Sequence, residues 1–215
     1  VRSGDLKIPR VENLTITLNF PDYTGLQDVT LDNGNIRALT GTEAHITIQT
    51  DQPIQNGIIQ LETGASVDLN YIGPRELNGK LSIAADDYYR IHLQDQESSW
   101  NPASDEYMIE ALEDQPPIIS FSRPGRDRKV SNIEEVFTEI RVEDDYGVEK
   151  LSLHFSPNGE QEREIALVHP KGSSSFSTSH TFYLEEFDLE PGDFLSYWAE
   201  AHDTVTAGIT DIYFS

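Results

Sequence analysis

The chain has 215 residues, of which 15 are basic and 38 acidic, giving a formal net charge of −23, and it contains no cysteine. The balance argues against a basic face for nucleic-acid phosphates, and anionic membrane surfaces are disfavoured for the same reason. Disulfides, thiol catalysis, cysteine-ligated zinc and iron–sulfur clusters are excluded as well. The acids divide evenly, 19 up to residue 115 and 19 after it, which describes a solvated surface rather than an acidic tail. The length suits two domains of about 100 residues each.

Residues 1–10, beginning "VRSGD", are expected to be a linker or the tail of a preceding module, with a boundary at "IPRVEN" (8–13). Leu14, Ile16, Leu18 and Phe20 then alternate with polar residues, as do Ala44, Ile46 and Ile48. Such period-2 patterns predict strands with one wet face. Further strands are expected at 57–62, 89–95 and 105–111, divided by turn signals such as "DNGN" (32–35) and "ETG" (62–64). The proline-stiffened linker "EDQPPIISF" (113–121) follows. Beyond it, "SNIEEVF" (131–137) offers at most a turn or two of helix. Ile140 and Val142, then Leu151, Leu153 and Phe155, resume the alternation, and strands are expected again at 197–203 and 210–215. No apolar run reaches the ~18 residues of a membrane span and no signal peptide is visible. A chain that starts at Val1 is expected to be a fragment whose anchor lies elsewhere.

The two halves repeat. "YRIHLQD" (89–95) matches "YWAEAHD" (197–203), and "TEAHITIQTDQP" (42–53) matches "EEVFTEIRVEDD" (134–145). Repetition at domain length predicts tandem modules, 11–113 and 114–215. About seven short strands per module predict an all-β fold of two tandem immunoglobulin-like or fibronectin type III-like antiparallel β-sandwich domains. "DFLSYWA" (193–199) resembles a tyrosine corner, in which the Tyr197 hydroxyl would pin the loop before its strand. The cysteine usual two residues on is replaced by Ala199 here and by Ile91 in the first module.

The segments at 21–46 ("PDYTGLQDVTLDNGNIRALTGTEAHI"), 88–117 and 142–159 resemble repeats of large bacterial membrane-anchored proteins. The resemblance runs through nearly all of the chain from Val11 onward. It implies β-sandwich modules on the outer side of a bacterial inner membrane, periplasmic or extracellular, and it implies no activity.

Candidate chemistry is sparse. His45, His92 and His154 fall on the polar phase of their strands and are expected at solvent faces, without the spacing of a metal pair. The serines at 173–175 lack a nucleophile elbow. Adjacent acids such as those in "VEDDYGV" (142–148) point to opposite faces of a strand and make a poor catalytic pair. No catalytic, cofactor-binding or resident metal residue is therefore assigned.

Calcium is the sharper alternative. An immunoglobulin-like topology brings Asp144, Asp145, Asp203, Glu113 and Asp114 to one pole, where carboxylates could stiffen a junction. Turn capping is the competing role. The first module has fewer acids in the corresponding place, Asp51, Asp95 and Glu97. "RPGRDRK" (123–129) could dock an acidic neighbour or sit as a solvated loop. Trp100, in the loop "SSWNP", and Trp198 could form a carbohydrate platform. The expected work is that of non-catalytic spacer and docking modules whose partners are neighbouring domains and envelope proteins. No nucleic acid and no direct membrane insertion are expected. Calcium-stiffened adhesion and carbohydrate binding are the alternatives.

Overall fold

The computed structural model describes residues 8–215. The expectation for "VRSGD" falls on residues outside the described ones. The chain is all-β and divides into two compact units at Glu113 and Asp114.

The first unit carries β1 (Val11–Asn19), β2 (Val29–Leu31), β3 (Ile36–Leu39), β4 (Glu43–Thr50) and β5 (Gly57–Leu61). Then come β6 (Ser66–Gly73), β7 (Glu76–Ser82), β8 (Asp87–Gln94), β9 (Trp100–Pro102) and β10 (Tyr107–Leu112). One layer runs β2-β1-β4-β7 and the other β5-β8-β10-β3, with β9 also on β8. β6 belongs to both. Its first half pairs with β5, Val67 opposite Ile59, and its second half with β7, Tyr71 opposite Leu77. A register shift between Tyr71 and Gly73 accompanies the end of that ladder.

The alternation sends Leu14, Ile16, Leu18, Ile46, Ile48 and Leu77 inward from one layer, against Ile36, Ile59, Tyr89, Ile91 and Leu93 from the other. The expected purely antiparallel pairing needs one correction. β3 runs parallel to β10, Ile36 opposite Ile109. The chain leaves the first layer after β2, turns through Gly34 and enters the second beside the last strand. Entering from the far end of the sandwich, it runs with β10 rather than against it.

The second unit carries β11 (Ile118–Arg123), β12 (Glu135–Glu143), β13 (Lys150–Pro157), β14 (Arg163–Ala166), β15 (Ser175–Tyr183), β16 (Leu195–His202), β17 (Ala207–Ile209) and β18 (Tyr213–Phe214). Its layers are β11-β12-β15 and β14-β13-β16-β17, with β18 also on β16. This partition resembles that of immunoglobulin-like and fibronectin type III-like sandwiches. Val136, Ile140 and Val142 face Leu153, Phe155, Tyr197 and Ala199 across the core. Phe182 fills its centre, with ring contacts to Phe155 at 5.3 Å and Tyr197 at 5.4 Å.

No helix forms at 131–137. The Glu134 carboxylate accepts the Ser131 N–H, the Glu134 N–H returns to the Ser131 carbonyl, and β12 starts at Glu135. The turn closes through a side chain before a helical turn can propagate.

Candidate functional site

The acidic loop between β12 and β13 is built as a cap. Asp144 Oδ2 accepts the N–H groups of Tyr146 at 3.0 Å and Gly147 at 2.5 Å. Gly147 stands at φ +98°, and a Cβ there would lie 2.7 Å from the Cα of Gly172. Asp203, buried after β16, accepts N–H groups from Val205 and Thr206 through Oδ1 and the Thr206 hydroxyl through Oδ2 at 2.6 Å. Both carboxylates are thus directed at backbone donors, the turn-forming use of aspartate. Asp145 is exposed, and Glu113 ends the first unit while Asp114 begins the second. Among the described residues no group of three or more His, Cys, Asp or Glu side chains is placed to hold a metal ion. In the first unit Asp95 caps its own loop, accepting Glu97 and Ser99 N–H at 2.9 Å and the Asn101 amide at 2.8 Å. Asp51 accepts the Arg10 N–H at 3.0 Å.

Burial pushes the Asp144 carboxyl above the ordinary aspartate range, the charges of Asp145 and Asp203 push the same way, and the two N–H bonds oppose them. The folded chain therefore holds this proton to higher pH than the unfolded chain, whose reference is 3.8. The associated stability is complete below 3.8 and is lost as pH rises through the folded value. Asp144→Asn keeps an oxygen for the two N–H groups and removes the charge. Its melting midpoint is expected to exceed the parent's at neutral pH, with the gap closing toward pH 3.8. A lower midpoint at neutral pH would show that the charge is favourable.

His154 departs from the expectation of a solvent-facing histidine. It is buried on the outer face of β13, stacked on Trp198 with ring centroids 5.3 Å apart. Nδ1 lies 2.7 Å from Glu162 and Nε2 lies 3.3 Å from Glu200. β13 sits between β14 and β16, whose long side chains close over it, so residues 151–157 are buried on both faces. His45 and His92 are half-buried. Ser152, His154 and Glu162 share a face and suggest a hydrolytic triad, but the geometry is wrong. The Ser152 hydroxyl donates to Glu164 at 2.7 Å, and the His154 nitrogen that would take a serine proton faces Glu200.

The tyrosine corner is also corrected. Tyr197 places its hydroxyl 3.4 Å from Ser215 Oγ, and Tyr89 donates to the Gly34 carbonyl at 2.6 Å. Both rings are buried, and their hydroxyls reach different partners, a backbone carbonyl for Tyr89 and a side-chain hydroxyl for Tyr197.

Sequence reasoning missed a device shared by both units. The last strand is split, into β9 and β10 or β17 and β18, and a hydroxyl bridges the break. Ile91 donates its N–H to Ser104 Oγ at 3.0 Å, and Ser104 donates to the Asp105 carbonyl at 2.7 Å. Ala199 donates to Thr210 Oγ1 at 2.9 Å, and Thr210 donates to the Asp211 carbonyl at 2.9 Å. The signal was the repeated hydroxyl–aspartate pair, Ser104-Asp105 and Thr210-Asp211, its hydroxyl residue 13 positions after Ile91 in the first unit and 11 after the aligned Ala199 in the second.

Trp100 is exposed on strand β9 rather than in a loop, and Trp198 presents one ring face to His154. In the basic run, Arg123 pairs with Glu139 at 3.9 Å, and the backbone is tied to β18 by Arg128 N–H to the Phe214 carbonyl and Phe214 N–H to Asp127. Arg126, Arg128 and Lys129 are exposed. No helix among the described residues is long and apolar enough to cross a membrane.

No protein-family model and no curated protein matches the chain. Among solved structures, it is similar to the fibronectin(III)-like modules of Clostridium thermocellum CbhA, at 12% identity over 93% of each chain with a TM-score of 0.28. It is also similar to a chimeric titin tandem functionalised with an exogenous fibronectin peptide, at 7% identity over 84% of this chain and 93% of that one, TM-score 0.30. At these scores the likenesses carry no argument, and the fold stands on its own strand pairings.

Proposed function

We propose that the chain comprises two tandem immunoglobulin-like β-sandwich modules, 11–113 and 114–215, that serve as non-catalytic spacer and docking units of a larger bacterial envelope protein. The observation that carries this reading is that each unit owns a separate apolar cluster and repeats the same hydroxyl-bridged last strand. The envelope setting, periplasmic or extracellular with a tether to the inner membrane, rests on the resemblance of segments 21–46, 88–117 and 142–159. Neighbouring domains and envelope proteins are the partners it implies.

Calorimetry of the intact chain tests the modular part. Two transitions are expected, and Thr210→Val should lower only one. The substitution is nearly isosteric and strands the buried Ala199 N–H, a loss of about 1–3 kcal/mol. A single transition, shifted as a whole, would refute independent modules. Fractionation of cells producing the full-length protein tests the setting, and recovery in the cytoplasm would refute it.

A further inference from the structure

Sheet edges are templates for foreign strands unless they are blunted. In the second unit, β11 follows Pro116 and Pro117 and shifts register between Phe121 and Arg123. β14 has four residues and carries Arg163 and Glu164, and β17 and β18 have three and two. In the first unit, the end strands β2 and β3 have three and four.

β15 has none of these devices. It is nine residues long, pairs only with β12 among the described residues, keeps one unbroken register, and contains no proline and no Asp, Glu, Lys or Arg. Its counterpart β7, which pairs with β4 as β15 pairs with β12, is covered by β6. The chain between β14 and β15 runs through Pro170 and Gly172 and supplies no such strand.

The direction of the free groups follows from the ladder's ends. Asp144 N–H donates to the Ser174 carbonyl at 2.9 Å, and Leu184 N–H donates to the Glu134 carbonyl at 3.3 Å. Even-numbered residues of β15 therefore face β12, because antiparallel pairs alternate. Ser177, Ser179, Thr181 and Tyr183 turn their N–H and C=O groups to the open edge. Their side chains lie on the outer face, where they form a ladder of small hydroxyls ending in a tyrosine.

The geometry points to a second copy of this chain as the occupant, joined β15 to β15 in antiparallel register about a two-fold axis at Ser179. In that register Ser177 opposes Thr181 of the second copy and Ser179 opposes itself, so every outward amide meets an outward carbonyl. The strip is uncharged in a chain of net charge −23, so it is where two copies approach without local repulsion. Its flanks are complementary. Exposed Lys171 precedes it and exposed Glu185 and Glu186 follow it, and none of the three is in an ion pair among the described residues. The two-fold axis brings the lysine of each copy toward the glutamates of the other. An isologous contact of this kind closes on itself and stops at a dimer. It does not depend on what the two modules space apart.

Sedimentation of the whole chain across a wide concentration range tests this, with amide exchange read on the same samples. The expected result is a monomer–dimer equilibrium that tightens with salt, as repulsion between the acidic surfaces is screened. The amides of Ser177, Ser179 and Thr181 should exchange slowly only where dimer is present. Ser179→Lys places like charges at the axis from an exposed position and should weaken association about tenfold or more, with the dilute-state melting midpoint kept. Ser179→Pro removes the axial N–H without touching the bonds to β12 and should act the same way. A chain that stays monomeric at every concentration and salt would leave the edge to some other extended segment and overturn the assignment. So would a dimer that both variants leave intact.

Discussion

Truncation of Phe182 to alanine is expected to lower the stability of the second unit by about 3–5 kcal/mol, the range for removing a buried aromatic ring. Phe182 is 1% exposed and stands at the centre of a ring cluster. It lies 5.3 Å from Phe155, 5.4 Å from Tyr197 and 4.8 Å from the His180 imidazole. It comes from one layer and three of its ring neighbours, Phe155, Tyr197 and Phe187, come from other strands or turns, so their collapse cannot fill the space without moving both layers. Chemical denaturation should show the second transition at a lower midpoint with an unchanged first. A loss below about 1 kcal/mol would mean that the rings repack, and the cluster would then not be the anchor described.

Replacement of Gly147 by alanine is expected to cost roughly 2–4 kcal/mol. Two effects add. The backbone stands at φ +98°, where a side chain is strained, and the new Cβ would sit 2.7 Å from the Cα of Gly172 and 2.8 Å from its carbonyl carbon. The obstacle is backbone, so no rotamer change relieves it. The loop between β14 and β15 would have to withdraw, and with it the Ser174 carbonyl that accepts the Asp144 N–H. Gly172→Ala serves as a control: its added Cβ meets nothing within 4 Å, leaving only the strain of φ +71°. Equal losses from the two variants would show that backbone strain alone matters.

What could be read from sequence follows from where water lies. β1, β4 and β12 have one wet face, so their apolar residues alternate in plain view. β13 has the same alternation, and its outer residues Ser152 and His154 are nevertheless buried, because Glu164, Glu200 and Trp198 arrive from other strands and Glu162 from the turn before β14. No local pattern reports that. The change of layer within β6 was invisible for a different reason. A strand that changes layers along its length has no single buried phase, and "SVDLNYIG" accordingly exposes Tyr71 and Ile72 side by side. The parallel run of β3 beside β10 is a matter of where the chain re-enters the sandwich, which strand patterns do not encode. Of the acids expected at one pole, Asp144 and Asp203 have a use that was decided by their neighbours. Asp144 and Asp203 meet backbone donors within three residues, a role their positions before Gly147 and Thr206 permit and only geometry fixes.

β6 makes the two units different materials. In the first, a ladder of backbone hydrogen bonds passes from one layer into the other through a single strand, so sliding the layers past each other requires breaking that ladder. In the second, the layers share no strand, and their register is kept by side-chain interdigitation and by the turns that connect them. Side-chain packing yields gradually to shear, whereas a hydrogen-bonded ladder resists and then parts. Shear between the layers is accordingly expected to meet more resistance in the first unit than in the second.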